Sequence, residues 1–283
     1  MSFTSNYIVC ADREIHYTEW GAGHAETVIA WHGLVRTGRD MDDIAAHLAA
    51  RYRVLCPDTI GRGLSEWSPA PEQEYCLAFY GRIAIALMDQ LGIEGVHWLG
   101  TSMGGALGIQ LAGGPLRGRI RRLVLNDVGP QLEDAALARI RGYAGMPSQF
   151  RRVTELEGYF RSVYQTFGKL SDEQWRRLTE TSTRRLPDGQ VTPHYDPKAV
   201  LQLEHYRHDY DLWDMYDAID VPTLCLRGET SDLLLPDVAD EMRRRGPRAV
   251  VVTIPNCGHA PALNVPEQWS LVERFLNGAR TVN

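Results

Sequence analysis

The sequence predicts an α/β fold built on a mostly parallel sheet, from three observations. Apolar strand-like runs alternate with helical patterns from Thr27 to Asp127, and again from Trp213 to Leu276. One run, Val96-His97-Trp98-Leu99, passes through Gly100-Thr101-Ser102-Met103-Gly104-Gly105 into Ala106-Leu107-Gly108-Ile109-Gln110-Leu111-Ala112. That is strand, sharp turn and helix, with a serine at the bend. Between the two alternating parts, from about Pro130 to Tyr210, strand-like runs are absent and the chain is helical in character. That stretch is too long for a loop and reads as an insertion.

The N-terminal elements are Tyr7-Ile8-Val9-Cys10 and Glu14 to Trp20, two short strands separated by Ala11-Asp12-Arg13 and forming a hairpin. After the turn Gly21-Ala22-Gly23, Thr27-Val28-Ile29-Ala30-Trp31 is apolar throughout, as suits a strand covered on both faces. It ends in His32-Gly33-Leu34-Val35. A helix is expected over Met41 to Ala50, with Asp40 as N-cap. Arg53-Val54-Leu55-Cys56 is the next strand. The turn after it carries Gly61-x-Gly63, but Glu66 stands where a third glycine belongs and no helix begins there, so it is not a dinucleotide fingerprint. Leu77 to Leu91 has apolar residues at helical spacing and stops at Gly92. Ile120 to Asp127 is a strand.

The insertion is rich in aromatics, Tyr143, Phe150, Tyr159, Phe160, Tyr164, Phe167, Trp175, Tyr195 and Tyr206 among them. Gly145-Met146-Pro147 and Leu186-Pro187-Asp188-Gly189 break it into pieces. Most of these rings are expected to pack on one another, and some to line an apolar pocket. The alternation resumes with a helix over Trp213 to Ile219, the strand Thr223 to Leu226, a helix over Val238 to Arg245, the strand Ala249 to Ile254 and a last helix from Pro266 to Leu276.

Composition sets the broad class. The 283 residues are 44% hydrophobic and 23% charged, enough to bury a sizeable core. A net charge of −6 argues against nucleic acid or an anionic membrane as the main partner. The clusters Arg117–Arg122 and Arg243–Arg248 read as solvated surface. The N-terminal residues show neither a basic nor an apolar stretch, and no apolar run reaches the length of a membrane span. Five cysteines without a C-x-x-C pair suit reduced, buried thiols, so a cytoplasmic location is expected.

The candidate chemistry lies just past the C-terminal ends of strands, where open α/β sheets place their sites. Ser102 is the candidate nucleophile, and a serine needs a base. His259, in Asn256-Cys257-Gly258-His259-Ala260-Pro261 after the final strand, is the candidate base. Asp232, in the loop after Thr223–Leu226, is favoured as the acid that orients it. Glu229 in the same loop is one rival, and Asp127, ending another strand, a more distant one. The order Ser, Asp, His along the chain fits such a triad on this topology. The amides of Met103 and Leu34 are the expected donors to the negative oxygen of a tetrahedral intermediate. His32 is read as structural. His205 and His208 read as a solvated face, so neither a metal nor any other cofactor is expected.

Together, Trp31-His32-Gly33, Asp58-x-x-Gly61-x-Gly63-x-Ser65, Gly100-Thr101-Ser102-Met103-Gly104-Gly105, Gly228-Glu229-x-Ser231-Asp232 and Gly258-His259 resemble the α/β-hydrolase superfamily over nearly the whole chain. The resemblance implies an eight-stranded, mostly parallel sheet flanked by helices, with a helical cap inserted after the sixth strand. The core is then 1–129 and 211–283, and the cap 130–210. It also implies Ser102, Asp232 and His259 as nucleophile, acid and base. Serine at 102 disfavours the branches with an aspartate nucleophile. The stretch Leu125-Asn126-Asp127-Val128-Gly129-Pro130, with the cap after it, resembles bacterial esterases, including some acting on hydroxyalkanoate oligomers and polyesters. It is also similar to 3-oxoadipate enol-lactone hydrolases. The expected activity is hydrolysis of small carboxylic esters or lactones through an acyl-enzyme. The alternatives are carbon–carbon bond hydrolysis or perhydrolysis on the same triad, or a ligand receptor without turnover.

Overall fold

The computed structural model describes residues 2–279. In chain order the elements are β1 (Phe3–Cys10), β2 (Arg13–Trp20), β3 (Thr27–Trp31), α1 (Asp42–Leu48), β4 (Arg53–Pro57), α2 (Pro71–Glu74), α3 (Leu77–Gln90), β5 (Val96–Thr101), α4 (Met103–Gly113) and β6 (Ile120–Asn126). Next come α5 (Asp134–Ala144), α6 (Val153–Val163), α7 (Asp172–Thr181), β7 (Thr183–Arg185), β8 (Val191–Pro193), α8 (Leu201–His205) and α9 (Trp213–Asp217). The chain then returns to the sheet through β9 (Thr223–Gly228), α10 (Pro236–Met242), β10 (Val250–Ile254) and α11 (Pro266–Leu276).

Eight strands form one sheet in the order β1-β2-β4-β3-β5-β6-β9-β10. Only β2 runs against the others, pairing antiparallel with both β1 and β4. The expected eight-stranded, mostly parallel sheet is therefore present, with the insertion after its sixth strand. Strand residues alternate between two buried layers. Ile29, Trp31, Trp98, Leu123 and Leu125 pack on the side of α3 and α4. Val28, Ala30, Leu99, Val124 and Leu224 pack on the side of α1 and α11. Burial on both faces is why these strands read as continuous apolar runs.

The strand order reverses at β3: β4 lies to one side of it and β5 to the other. A crevice opens at such a switch point. Trp31 is paired with Gly100 in this register, so the turn after β3 meets the bend after β5 at the crevice.

Two local expectations are corrected. A tight 3-10 turn over Gly38–Met41 precedes α1, whose N-cap is Met41; Asp40 does not cap it, because its carboxylate is taken by Arg36. The insertion is not strand-free either. Its β7 and β8 form a short antiparallel hairpin around Leu186-Pro187-Asp188-Gly189, where Gly189 supplies a positive φ of 86°. The insertion has its own small core of Leu156, Phe160, Tyr164, Trp175 and Val191. All five cysteines are buried and free. Among the described residues no helix is long and apolar enough to cross a membrane.

Candidate active site

Ser102 sits at φ 51° and ψ −116°, a backbone state that side chains other than glycine rarely adopt. Its surroundings hold it there. Its N–H donates to Asn126 O at 3.0 Å, and its carbonyl accepts from Gly105 and Ala106 at 2.9 Å each. The glycines around it are required by close approach: a Cβ on Gly100 would lie 2.2 Å from Gly104 O, and one on Gly104 would lie 2.3 Å from Trp31 O. The bend thus fits only because strand, turn and helix are packed backbone to backbone.

Met103 is the first residue of α4, so its N–H has no acceptor within the helix. Leu34 lies in the turn after β3, where Arg36 N–H closes onto Gly33 O at 3.2 Å. A Cβ on Gly33 would lie 3.6 Å from Ser102 Cβ, so the two segments are in contact. His32 is fully buried and braces this turn. Its Nδ1 meets Gly33 O at 2.6 Å and its Nε2 accepts from Thr59 N–H at 2.9 Å. Burial pushes its pKa down to about 4, so it stays neutral and structural, as expected.

His259 lines the same cleft as Ser102. Its Nδ1 is 2.8 Å from Asp127 Oδ2. A carboxylate only accepts, so Nδ1 donates this bond. Asp127 is wholly buried, just past the end of β6, at φ 54°. Gly228 N–H donates to its Oδ1 at 2.7 Å, and Ser231 Oγ donates to its Oδ2 at 2.6 Å.

The favoured acid, Asp232, is not on the histidine. Its carboxylate makes two hydrogen bonds with Arg139 of α5, at 2.7 and 2.8 Å, and its side chain is 50% exposed. Glu229 is exposed and accepts from Asn256 N–H at 3.0 Å. The loop after β9 turns Ser231 inward and Asp232 outward, which leaves Asp127 as the partner of His259. Sequence order could not separate the two, since both lie between Ser102 and His259.

The insertion helps to hold the histidine loop. Gly258 N–H donates to Thr166 O at 2.7 Å, Thr166 Oγ1 donates to His259 O at 2.9 Å, and Ala262 N–H donates to Phe167 O at 3.1 Å. Gly258 is confined between Thr230 Oγ1 and Thr166 Cβ, which a Cβ would approach to 3.1 and 3.3 Å.

The cleft has a volume of about 100 Å³. Ser102, His259, Leu34 and Val35 line it, together with Ile140, Tyr143, Tyr164, Phe167 and Leu178 from the insertion. Three of the nine aromatics named above thus face the cleft, while Phe150, Tyr159, Phe160 and Trp175 pack within the insertion. Sequence reasoning missed the arginines of the wall. Arg36 is buried, bound to Asp40 by two bonds of 2.7 Å and to Ser182 Oγ at 2.9 Å, with its guanidinium 4.6 Å from the Tyr164 ring centre. His205 and His208 are exposed, and no group of three or more His, Cys, Asp or Glu suited to a metal occurs among the described residues.

A serine at a strained strand-to-helix bend, on an eight-stranded sheet that reverses order beside it, defines a class. A model described as the alpha/beta hydrolase family matches residues 28–270, and the chain belongs to that family. It is 38% identical over 273 residues to the 3-hydroxybutyrate-oligomer hydrolase of Cupriavidus necator, covering 93% of this chain and 92% of that one. It is 27% identical over 282 residues to the 2-hydroxy-6-oxononadienedioate/2-hydroxy-6-oxononatrienedioate hydrolase of Cupriavidus pinatubonensis, covering 90% and 89%. An alpha/beta hydrolase structure from Novosphingobium aromaticivorans superposes with a TM-score of 0.86 at 32% identity, over 97% of this chain and 98% of that one.

Proposed function

We propose that this hydrolase cleaves carboxylic esters through an acyl-enzyme, with Ser102 as nucleophile, His259 as base and Asp127 as the acid that orients it. The observation that carries the reading is the 2.8 Å bond from His259 Nδ1 to the buried Asp127 carboxylate, in the cleft that Ser102 also lines. His259 Nε2 takes the Ser102 proton as Oγ attacks the ester carbonyl, then returns it to the departing alkoxide, releasing the alcohol. Water repeats the sequence on the acyl-serine, and the acid leaves. Asp127 holds the imidazole tautomer and balances its positive form. The Leu34 and Met103 amides receive the negative oxygen of each tetrahedral intermediate.

The substrates that fit best are esters with short acyl groups, since the cleft is small and walled by aromatic and aliphatic side chains. Similarity to the 3-hydroxybutyrate-oligomer hydrolase supports short hydroxy-acid oligomers within that class. In this reading the insertion, 130–210, is a cap over the 1–129 and 211–283 core, and the partner is a small molecule. Carbon–carbon bond hydrolysis on the same residues is the second reading, favoured by the likeness to the oxononadienedioate hydrolase.

The test is turnover of p-nitrophenyl acetate, butyrate and octanoate by wild type and Ser102→Ala, with fluorophosphonate labelling alongside. Wild type cleaves the two short esters faster than octanoate and is labelled at Ser102, and the variant does neither. Labelling without cleavage of any ester contradicts the ester reading and favours the second. No labelling contradicts both.

A further inference from the structure

Three donors converge on the Asp127 carboxylate, and they divide it unequally. Gly228 N–H takes Oδ1, whereas His259 Nδ1 and Ser231 Oγ both fall on Oδ2, at 2.8 and 2.6 Å. Ser231 is 5% exposed. Its own oxygen accepts from the Leu233 and Leu234 amides at 3.3 and 3.2 Å. A hydroxyl has one proton, and two amides already point at its oxygen. That proton therefore lies on the line to Oδ2, which can only accept.

We infer that Ser231 is a positioning residue for the proposed reaction. It fixes the plane of the Asp127 carboxylate so that Oδ2 meets the imidazole N–H, and it draws negative charge away from that oxygen. The inference rests on the reading of Ser102, His259 and Asp127 given above. The two effects are separable. Fixing the plane governs how often the imidazole is aligned, which affects kcat at every pH. Drawing off charge governs how firmly a positive imidazole is held, because a carboxylate stripped of a donor attracts it more strongly. Only neutral imidazole can take the serine proton. Losing the hydroxyl therefore moves the acid limb of the rate profile to higher pH.

The experiment measures kcat and KM on p-nitrophenyl butyrate, from about pH 5 to 9, for wild type, Ser231→Ala, Ser231→Thr and Ser102→Ala. For Ser231→Ala, kcat falls about tenfold near neutral pH, as befits loss of a charge-assisted bond. KM stays within about twofold and the acid limb rises by about half a pH unit, the scale of one lost donor. Ser231→Thr, which keeps the hydroxyl, restores the limb. If alanine prevents folding, Ser231→Cys, a weak donor of similar size, takes its place and shows the same upward limb. An unmoved limb, or a loss carried by KM, overturns the inference while leaving the proposed function standing. Wild-type turnover by Ser102→Ala overturns the proposed function and this inference with it.

Discussion

Arg139 and Asp232 hold each other through two parallel hydrogen bonds of 2.7 and 2.8 Å, joining α5 of the insertion to the loop after β9. The side chains are 44% and 50% exposed, so water and salt screen the pair. Such pairs contribute at most about 1 kcal/mol. Asp232→Asn and Arg139→Ala should each keep kcat within about threefold and stability within about 1 kcal/mol of wild type. Steady-state kinetics and urea denaturation check this. A loss of activity beyond a hundredfold in Asp232→Asn would return that residue to the proposed triad.

Arg36 gives the opposite expectation. It is buried between the turn after β3 and the insertion, held by Asp40 and Ser182 and stacked on Tyr164. Arg36 is buried and the Asp40 carboxylate 16% exposed, and removing one partner of such a largely buried pair strands the other, at a cost of about 3 kcal/mol. Arg36→Ala should therefore lower unfolding free energy by about that much, and Arg36→Lys should recover less than half, because an ammonium cannot reproduce the two-point contact. Chemical denaturation measures both. A full recovery with lysine would show that charge alone is needed there.

His97 sets a pH dependence. On β5 it is 5% exposed, and neither ring nitrogen has a partner among the described residues. Burial, with Arg121 and Arg122 adding to it, holds its pKa down to about 4. In the unfolded chain an ordinary imidazole takes a proton near pH 6.5. Between those values the unfolded state binds the extra proton, so stability present above about pH 6.5 is lost as pH falls toward 4. The loss reaches about 3 kcal/mol for this group. His97→Phe should flatten the fall between about pH 6.5 and 4 by roughly that amount. His32 adds a second contribution of the same sign, which the variant leaves in place. Urea denaturation at several pH values decides it, and an unchanged slope would exclude His97 as a source.

The inner strands were legible because burial on both faces writes them as unbroken apolar runs, with Gly33, Gly100 and Gly228 at or beside the ends of β3, β5 and β9. Ser102 and His259 stood out as candidates because each sits in a short local motif whose residues explain one another. The carboxylate that partners His259 did not. Asp127 and Asp232 both follow strands and both satisfy the chain order. What separates them is the positive φ at Asp127 and the inward turn of Ser231, and both are set by contacts distant in sequence. The β7–β8 hairpin escaped for a different reason. Three-residue strands such as Thr183-Arg184-Arg185, none of them buried, carry no period for a pattern to show. Asp40 looked like a cap because cap preference is local, whereas Arg36 holds its carboxylate away from the helix.

The role of Asp127 as acid of the proposed triad stands or falls on kcat of Asp127→Asn. Asparagine keeps the shape but can present its N–H₂ to Nδ1, favouring the wrong imidazole tautomer. Loss of the equivalent carboxylate in a serine triad costs about 10⁴ in kcat. A fall of that order is expected for Asp127→Asn on p-nitrophenyl butyrate, with the protein folded and Asp232→Asn close to wild type. Near-normal turnover by Asp127→Asn, with Asp232→Asn inactive, would contradict it.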